Sequence, residues 1–148
     1  MFQLPATGFH FLVRFDLLPT PADVSFQSVS GLTVETEFEE ILEGGQRQFS
    51  HQLPVRTVHG DLVLKRGLYL GSMLTEWFND AFENFVYRPI DLEVILLTAE
   101  HVPLRAWRIQ HALPKKLEIS SFNAEQSELV IETLTLTYHY LKVINEIP

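Results

Sequence analysis

Apolar side chains in this chain recur at every second position over long stretches, and that spacing commits most of it to β-strands. Phe9, Phe11, Val13, Phe15 and Leu17 alternate with His10, Leu12, Arg14, Asp16 and Leu18, which gives one strand a strongly aromatic face. Pro19-Thr20-Pro21 ends that run, because proline supplies no donor to a ladder. Val24 to Val29 resumes an extended pattern, and Ser30-Gly31 permits a bend or bulge. From Leu32 to Leu42 a half-exposed strand is predicted, with Glu35, Glu37 and Glu39 on one face and Val34, Thr36 and Phe38 on the other. Glu43-Gly44-Gly45-Gln46 reads as a turn or flexible tip. The pattern returns at Phe49 to Leu53 and is expected to stop at Pro54.

Asp61 to Lys65 is a short strand with Leu62 and Leu64 on one face, closed by Gly67. The one helical pattern follows. Ser72 is a suitable N-cap and Glu76 lies near the positive end of the helix dipole. Leu74, Trp77, Phe78, Ala81, Phe82 and Phe85 form one bulky stripe, and Arg88-Pro89 is the expected stop. Alternation then resumes in Asp91 to Leu96, around Trp107 and Ile109, and in a last long strand. That strand carries Val130, Leu134, Leu136, Tyr138 and Tyr140 on one face and Ile131, Thr133, Thr135 and Thr137 on the other. The expected fold is mainly β: a two-sheet sandwich or barrel of about seven or eight strands with one helix. The length of 148 residues suits a single domain spanning 1–148.

Composition narrows the chemistry. With no cysteine, disulfides, thiolate metal sites and thiol catalysis are all excluded. Eleven basic residues against nineteen acidic ones give a net charge of -8, which repels phosphate backbones and argues against direct nucleic-acid binding. No apolar run approaches the roughly 18 residues of a membrane span, so no membrane insertion is expected. Met1-Phe2-Gln3-Leu4-Pro5 has no basic stretch, which argues against a secretory leader.

A search for a reactive site finds none. The six histidines, at 10, 51, 59, 101, 111 and 139, show no metal-site spacing, and His51 and His59 flank Pro54 in an expected loop. The alternating glutamates read as a face that sees water, whether open solvent or a wide aqueous channel. Ser30 lacks the frame of a nucleophile elbow, and Glu43-Gly44-Gly45 lacks the spacing and lysine of a phosphate loop. No catalytic residue, metal or cofactor is therefore expected. The apolar surface is large for so short a domain, which suggests that neighbouring subunits cover part of it.

Several short words stand in a telling order: Ser30-Gly31-Leu32, an acidic strand, Glu43-Gly44-Gly45, Leu53-Pro54, then Leu62-x-Leu64-Lys65-Arg66-Gly67 and a helix with Trp77. Pro103, Trp107 and Pro114 follow, and then Leu134, Leu136 and Tyr138. In this the chain resembles contractile-tail tube proteins, the inner-tube subunits of phage tails and of extracellular contractile injection systems. The likeness covers nearly the whole chain. It implies a structural subunit, not an enzyme, whose strands complete a larger barrel in a homohexameric ring. Rings would stack around a cargo-conducting lumen. Implied partners are sister copies, a sheath protein, baseplate and tube-terminating proteins, and luminal cargo. The implied setting is assembly in a bacterial cytoplasm into a released phage-tail-like particle or virion. Glu43, Gly44, Gly45 and Gln46 are then inter-ring loop candidates. Glu35, Glu37 and Glu39 are lumen candidates, and Trp77, Phe78, Phe82 and Phe85 are sheath-facing or intersubunit candidates. Pro54-Val55 and Leu113-Pro114 depart from the family's Pro-Gly and Trp-before-Pro. Those departures favour, as an alternative, the ring that initiates the tube on the baseplate. The competing class is a monomeric β-barrel that binds a small ligand, which would need a deep apolar pocket with converging polar groups.

Overall fold

The computed structural model describes residues 9–16, 25–41, 51–68, 73–120 and 130–144. Within them lie β1 (His10–Phe15), β2 (Ser25–Phe26), β3 (Ser28–Ser30), β4 (Val34–Ile41), β5 (His51–His59), β6 (Leu62–Gly67), α1 (Met73–Asn84), β7 (Ile90–Leu97), β8 (Pro103–Ile119), β9 (Ile131–Thr137) and β10 (Tyr140–Ile144). The mainly-β expectation with one helix holds. The segmentation is finer than seven or eight strands because bends split two of the predicted runs. One lies at Gln27, between β2 and β3, and the other at Tyr138-His139, between β9 and β10.

Every strand pairing is antiparallel. The main sheet runs β2-β1-β7-β8-β9-β6-β3, with β10 added to β8. Its two ends, β2 and β3, are successive pieces of one segment joined by Gln27. The order therefore returns on itself and closes the sheet as a barrel, which removes most of its edges. The 17-residue β8 spans both halves of this barrel. It pairs with β7 and β10 through its first part and with β9 through its second. The bend between the parts falls at His111, whose φ of 60° is left-handed. The imidazole of His139, at the matching bend between β9 and β10, stacks on His111 at 4.0 Å.

Alternation becomes burial as predicted in the barrel strands. Val13 and Phe15, Leu62 and Leu64, Leu92 and Val94, and Leu134 and Leu136 all enter one core with Phe26, Ile90, Ile109 and Tyr138. The strand β7 departs from simple alternation, since Ile95 and Leu97 are buried on its second face. Ile95 belongs to a row that crosses four strands, Leu12–Ile95–Ala106–Ile144, in direct register. A second departure is charged. Arg66 and Glu132 lie opposite each other on β6 and β9, on the inward face, only 5% and 2% exposed. Arg66 Nε donates to Glu132 Oε2 at 2.9 Å, and the guanidinium lies 5.1 Å from the centre of the Phe26 ring. Pairing is what makes such burial tolerable.

The helix adds Leu74, Trp77, Phe78 and Ala81 to the core. Trp77 Nε1 donates to the carbonyl of Arg88 at 2.8 Å, so burial of the indole leaves no orphan donor. The helix ends at Asn84, earlier than the predicted stop at Arg88-Pro89. Phe85 takes a left-handed φ of 53°, and the Val86 N–H bonds back to the carbonyl of Asp80 at 3.0 Å. The proposed N-cap, Ser72, lies outside the described residues.

Candidate assembly interface

One part of the molecule stands outside the barrel. Among the described residues, strands β4 and β5 pair only with each other, as a separate two-stranded sheet. Eight residues of strand make β4 about 27 Å long at the usual rise. All of β4 and most of β5 are exposed, on both faces. Val34, Phe38, Ile41, Leu53 and Val55 are among the exposed large apolar side chains, Phe38 at 56%. Both outer edges of this arm carry a row of backbone groups with no strand beside them among the described residues. An isolated two-stranded hairpin is marginal in water. This arm therefore has the chemistry of an element finished by something else.

Here the structure corrects three expectations. Pro54 does not stop the strand. It sits inside β5 opposite Phe38, and the register shifts between Glu37 and Phe38, leaving Val55 as the extra residue. Proline is at home in such a bulge, where the ladder is already interrupted. His51 and His59 consequently lie in a strand, not in a loop. Within the predicted half-exposed run from Leu32 to Leu42, β4 is exposed on both faces, while Leu32 packs against the core and Leu42 lies outside the described residues.

The lumen candidates Glu35, Glu37 and Glu39 all lie on β4, exposed and on one face. Opposite them on β5 stand Val58, Arg56 and Leu53. Glu37 pairs with Arg56 at 3.1 Å, so the face mixes acid, one base and apolar groups. The inter-ring candidates Glu43, Gly44, Gly45 and Gln46 lie outside the described residues. The four helix candidates divide. Trp77 and Phe78 are buried in the chain's own core. The reason is angular: they share the stripe of Leu74 and Ala81 that faces the barrel. Phe82 and Phe85 are exposed, Phe85 at 82%, beside exposed Val86 and Tyr87. Phe85 and Tyr87 meet edge to face at 5.1 Å.

Sequence reasoning missed the neck where the arm leaves the barrel. Gly31 and Gly60 sit where the two segments of the arm leave the barrel side by side. Gly31 has a φ of 89°, and a Cβ there would fall 1.7 Å from the carbonyl oxygen of Asp61. A Cβ on Gly60 would fall 2.8 Å from Thr33 Oγ1. The Gly60 N–H donates to that Thr33 hydroxyl at 3.1 Å, and Lys115 Nζ donates to Asp61 at 2.6 Å. The Tyr138 hydroxyl donates to the Gly31 carbonyl at 2.8 Å and lies 3.4 Å from that of Thr33. Burial raises the Tyr138 pKa above its ordinary value, with a smaller rise from the charge of Asp61. The Ser30-Gly31 bend was legible from the glycine; its partners were not.

The outer face of the sheet carries its own charge order. Arg108 donates to Asp16 at 3.0 Å and to Glu93 at 3.2 Å, with Asp91 at 3.6 Å. The hydrogen bond to Asp16 raises the guanidinium pKa further, against desolvation. Much of the acidity of this face is thus neutralised locally. Among the described residues no group of three or more histidine or carboxylate side chains is placed to hold a metal ion. The nearest approach is His10 Nε2 to His101 Nδ1, a hydrogen bond of 3.0 Å.

The fold is shared with chains of solved structures. A chain of the anti-feeding prophage baseplate is 29% identical, with a TM-score of 0.79 and coverage of 97% of both chains. A chain of the sheath-tube complex of an extracellular contractile injection system in its extended state is 22% identical, with a TM-score of 0.73, covering 97% of this chain and 92% of that one. Hcp1 of Flavobacterium johnsoniae shares the fold at 14% identity and a TM-score of 0.51, over 91% of this chain and 93% of that one. Comparison with curated protein sequences returns no match. Residues 7–142 match the family described as T4-like virus tail tube protein gp19, from before the first described strand almost to the end of the last. Over that span the chain belongs to the T4-like virus tail tube protein family, a family of structural proteins and not of enzymes.

Proposed function

We propose that this tail tube subunit assembles as a homohexameric ring in which each β4–β5 arm is covered by sister copies, and that rings stack around an aqueous lumen. The observation that carries this reading is the arm: two strands with both faces exposed, apolar side chains on each, and open edges. Pairing across those edges satisfies the backbone groups, and covering the face opposite the glutamates buries Val34 and Phe38 together. One arm face then lines the lumen, and the face bearing Glu35, Glu37 and Glu39 is the better suited, since its charges need water. Its acidity would keep anionic cargo from adhering. Sheath, baseplate and terminating-cap proteins are the partners such a tube meets, as the sheath-tube complex and the prophage cap illustrate for their own chains.

A second reading within the same machine is the ring next to the baseplate. It is favoured by 29% identity to a chain of a baseplate structure against 22% to one of a sheath-tube complex. Electron microscopy of the purified chain tests the first reading. Six-fold rings that stack into tubes support it, and featureless monomers at high concentration contradict it. Rings that cap purified baseplates without self-stacking would select the second. Reversing charge at Glu35, Glu37 and Glu39 should alter cargo loading; unchanged loading removes them from the lumen.

A further inference from the structure

We propose that Tyr138 is a positioning residue for assembly: its hydroxyl clamps the neck of the β4–β5 arm and holds the arm at the angle at which a neighbour receives it. The arm has no buried face of its own, so its direction is set where it joins the barrel. At that neck the two adjacent segments are tied to each other through Thr33 and Gly60. Tyr138 reaches them from the end of β9, 107 residues from Gly31 in the chain. It touches both segments. Its hydroxyl holds the Gly31 carbonyl on the outgoing side, and its ring lies 5.1 Å from the ring of His59 on the returning side. His59 Nδ1 in turn lies 3.3 Å from the Thr33 carbonyl. The tyrosine is only 5% exposed and is anchored in the barrel core, so it transmits the rigidity of the core to the arm. Gly31 and Gly60 leave no room for side chains, which brings the two segments within reach of that one hydroxyl.

An arm that swings must be ordered at each association, and the apparent affinity falls by the fraction of molecules with the arm in place. An ordinary hydrogen bond changes the ratio of held to swung arms roughly fivefold, and the fraction in place by up to that factor. The consequence for ring formation rests on the tube reading above; the effect on the arm itself does not.

The test uses Tyr138→Phe in the full chain, with spin labels on Gln52→Cys in the arm and Lys116→Cys on the barrel. The chain has no native cysteine to confuse the labelling. In dilute protein the parent should give one narrow distance distribution and Tyr138→Phe a broad one. The concentration needed for rings should rise, by up to roughly fivefold, with the far-ultraviolet circular dichroism spectrum unchanged. An unchanged distance distribution in Tyr138→Phe overturns the clamp. Thr33→Val, which deletes the Gly60 bond from the exposed side, reads the same neck if Tyr138→Phe does not fold. Absence of rings in the parent would contradict the tube reading, while the distance measurement still decides the clamp.

Discussion

Arg66 and Glu132 show how far a single pair can depart from the pattern around it. Both occupy positions that alternation assigns to apolar residues, in line with Leu62 and Leu64 on one strand and Leu134 and Leu136 on the other. Their charges survive burial because each faces the other at hydrogen-bond distance. Glu132→Ala should cost about 3–5 kcal/mol by leaving a buried cation without its carboxylate. The double change Arg66→Met with Glu132→Leu should recover most of that loss or exceed the parent. Urea unfolding monitored by tryptophan fluorescence distinguishes the two. Tyr138 makes a second prediction at this scale. Its pKa is raised in the folded chain, so the neutral phenol contributes stability that is complete below the ordinary tyrosine value of about 10 and is lost as pH rises through the folded one. The parent should lose stability above about pH 10 more steeply than Tyr138→Phe, as read from unfolding midpoints across the alkaline range.

Among the elements, the barrel strands were legible because their two faces differ in what they meet. Phe11, Val13 and Phe15, and likewise Leu134 and Leu136, announce an inward face that the structure confirms. The arm was misjudged by the same rule. Val34, Thr36 and Phe38 alternate with three glutamates, yet no surface of the chain's own barrel lies against them. Alternation records that a strand is built to have two unlike sides; it does not say which molecule covers them. Pro54 misled because proline lacks a donor, and the bulge that accommodates it depends on the partner strand. The neck stayed hidden because it joins residues remote in sequence. The helix offers a further prediction. Phe85 adopts a left-handed conformation that costs a residue with a Cβ about 1–2 kcal/mol, while its ring is mostly in water. Phe85→Gly should stabilise the isolated chain by about 0.5–1 kcal/mol, measured by thermal unfolding. If that exposed ring serves a partner, the same change weakens assembly while strengthening the fold.

As a whole, the molecule carries a net charge of -8, and gathering copies of it in a ring brings like charges together. Raising ionic strength from about 10 mM to 150 mM should therefore lower the concentration at which rings form, by sedimentation velocity. An assembly that weakens with salt would mean that opposite charges dominate the contacts between copies. At this scale the family was legible from short words kept in order along the chain, while the ring's place in a tube was not, because no one chain contains it. The central claim is that sister copies complete the β4–β5 arm, and amide hydrogen exchange tests it most directly. In dilute monomer the amides of β4 and β5 should exchange far faster than those of β6 and β9, and in assembled particles they should slow by about a hundredfold or more. An arm already as protected as β6 and β9 in the monomer, or one that stays fast in the assembled particle, contradicts the account.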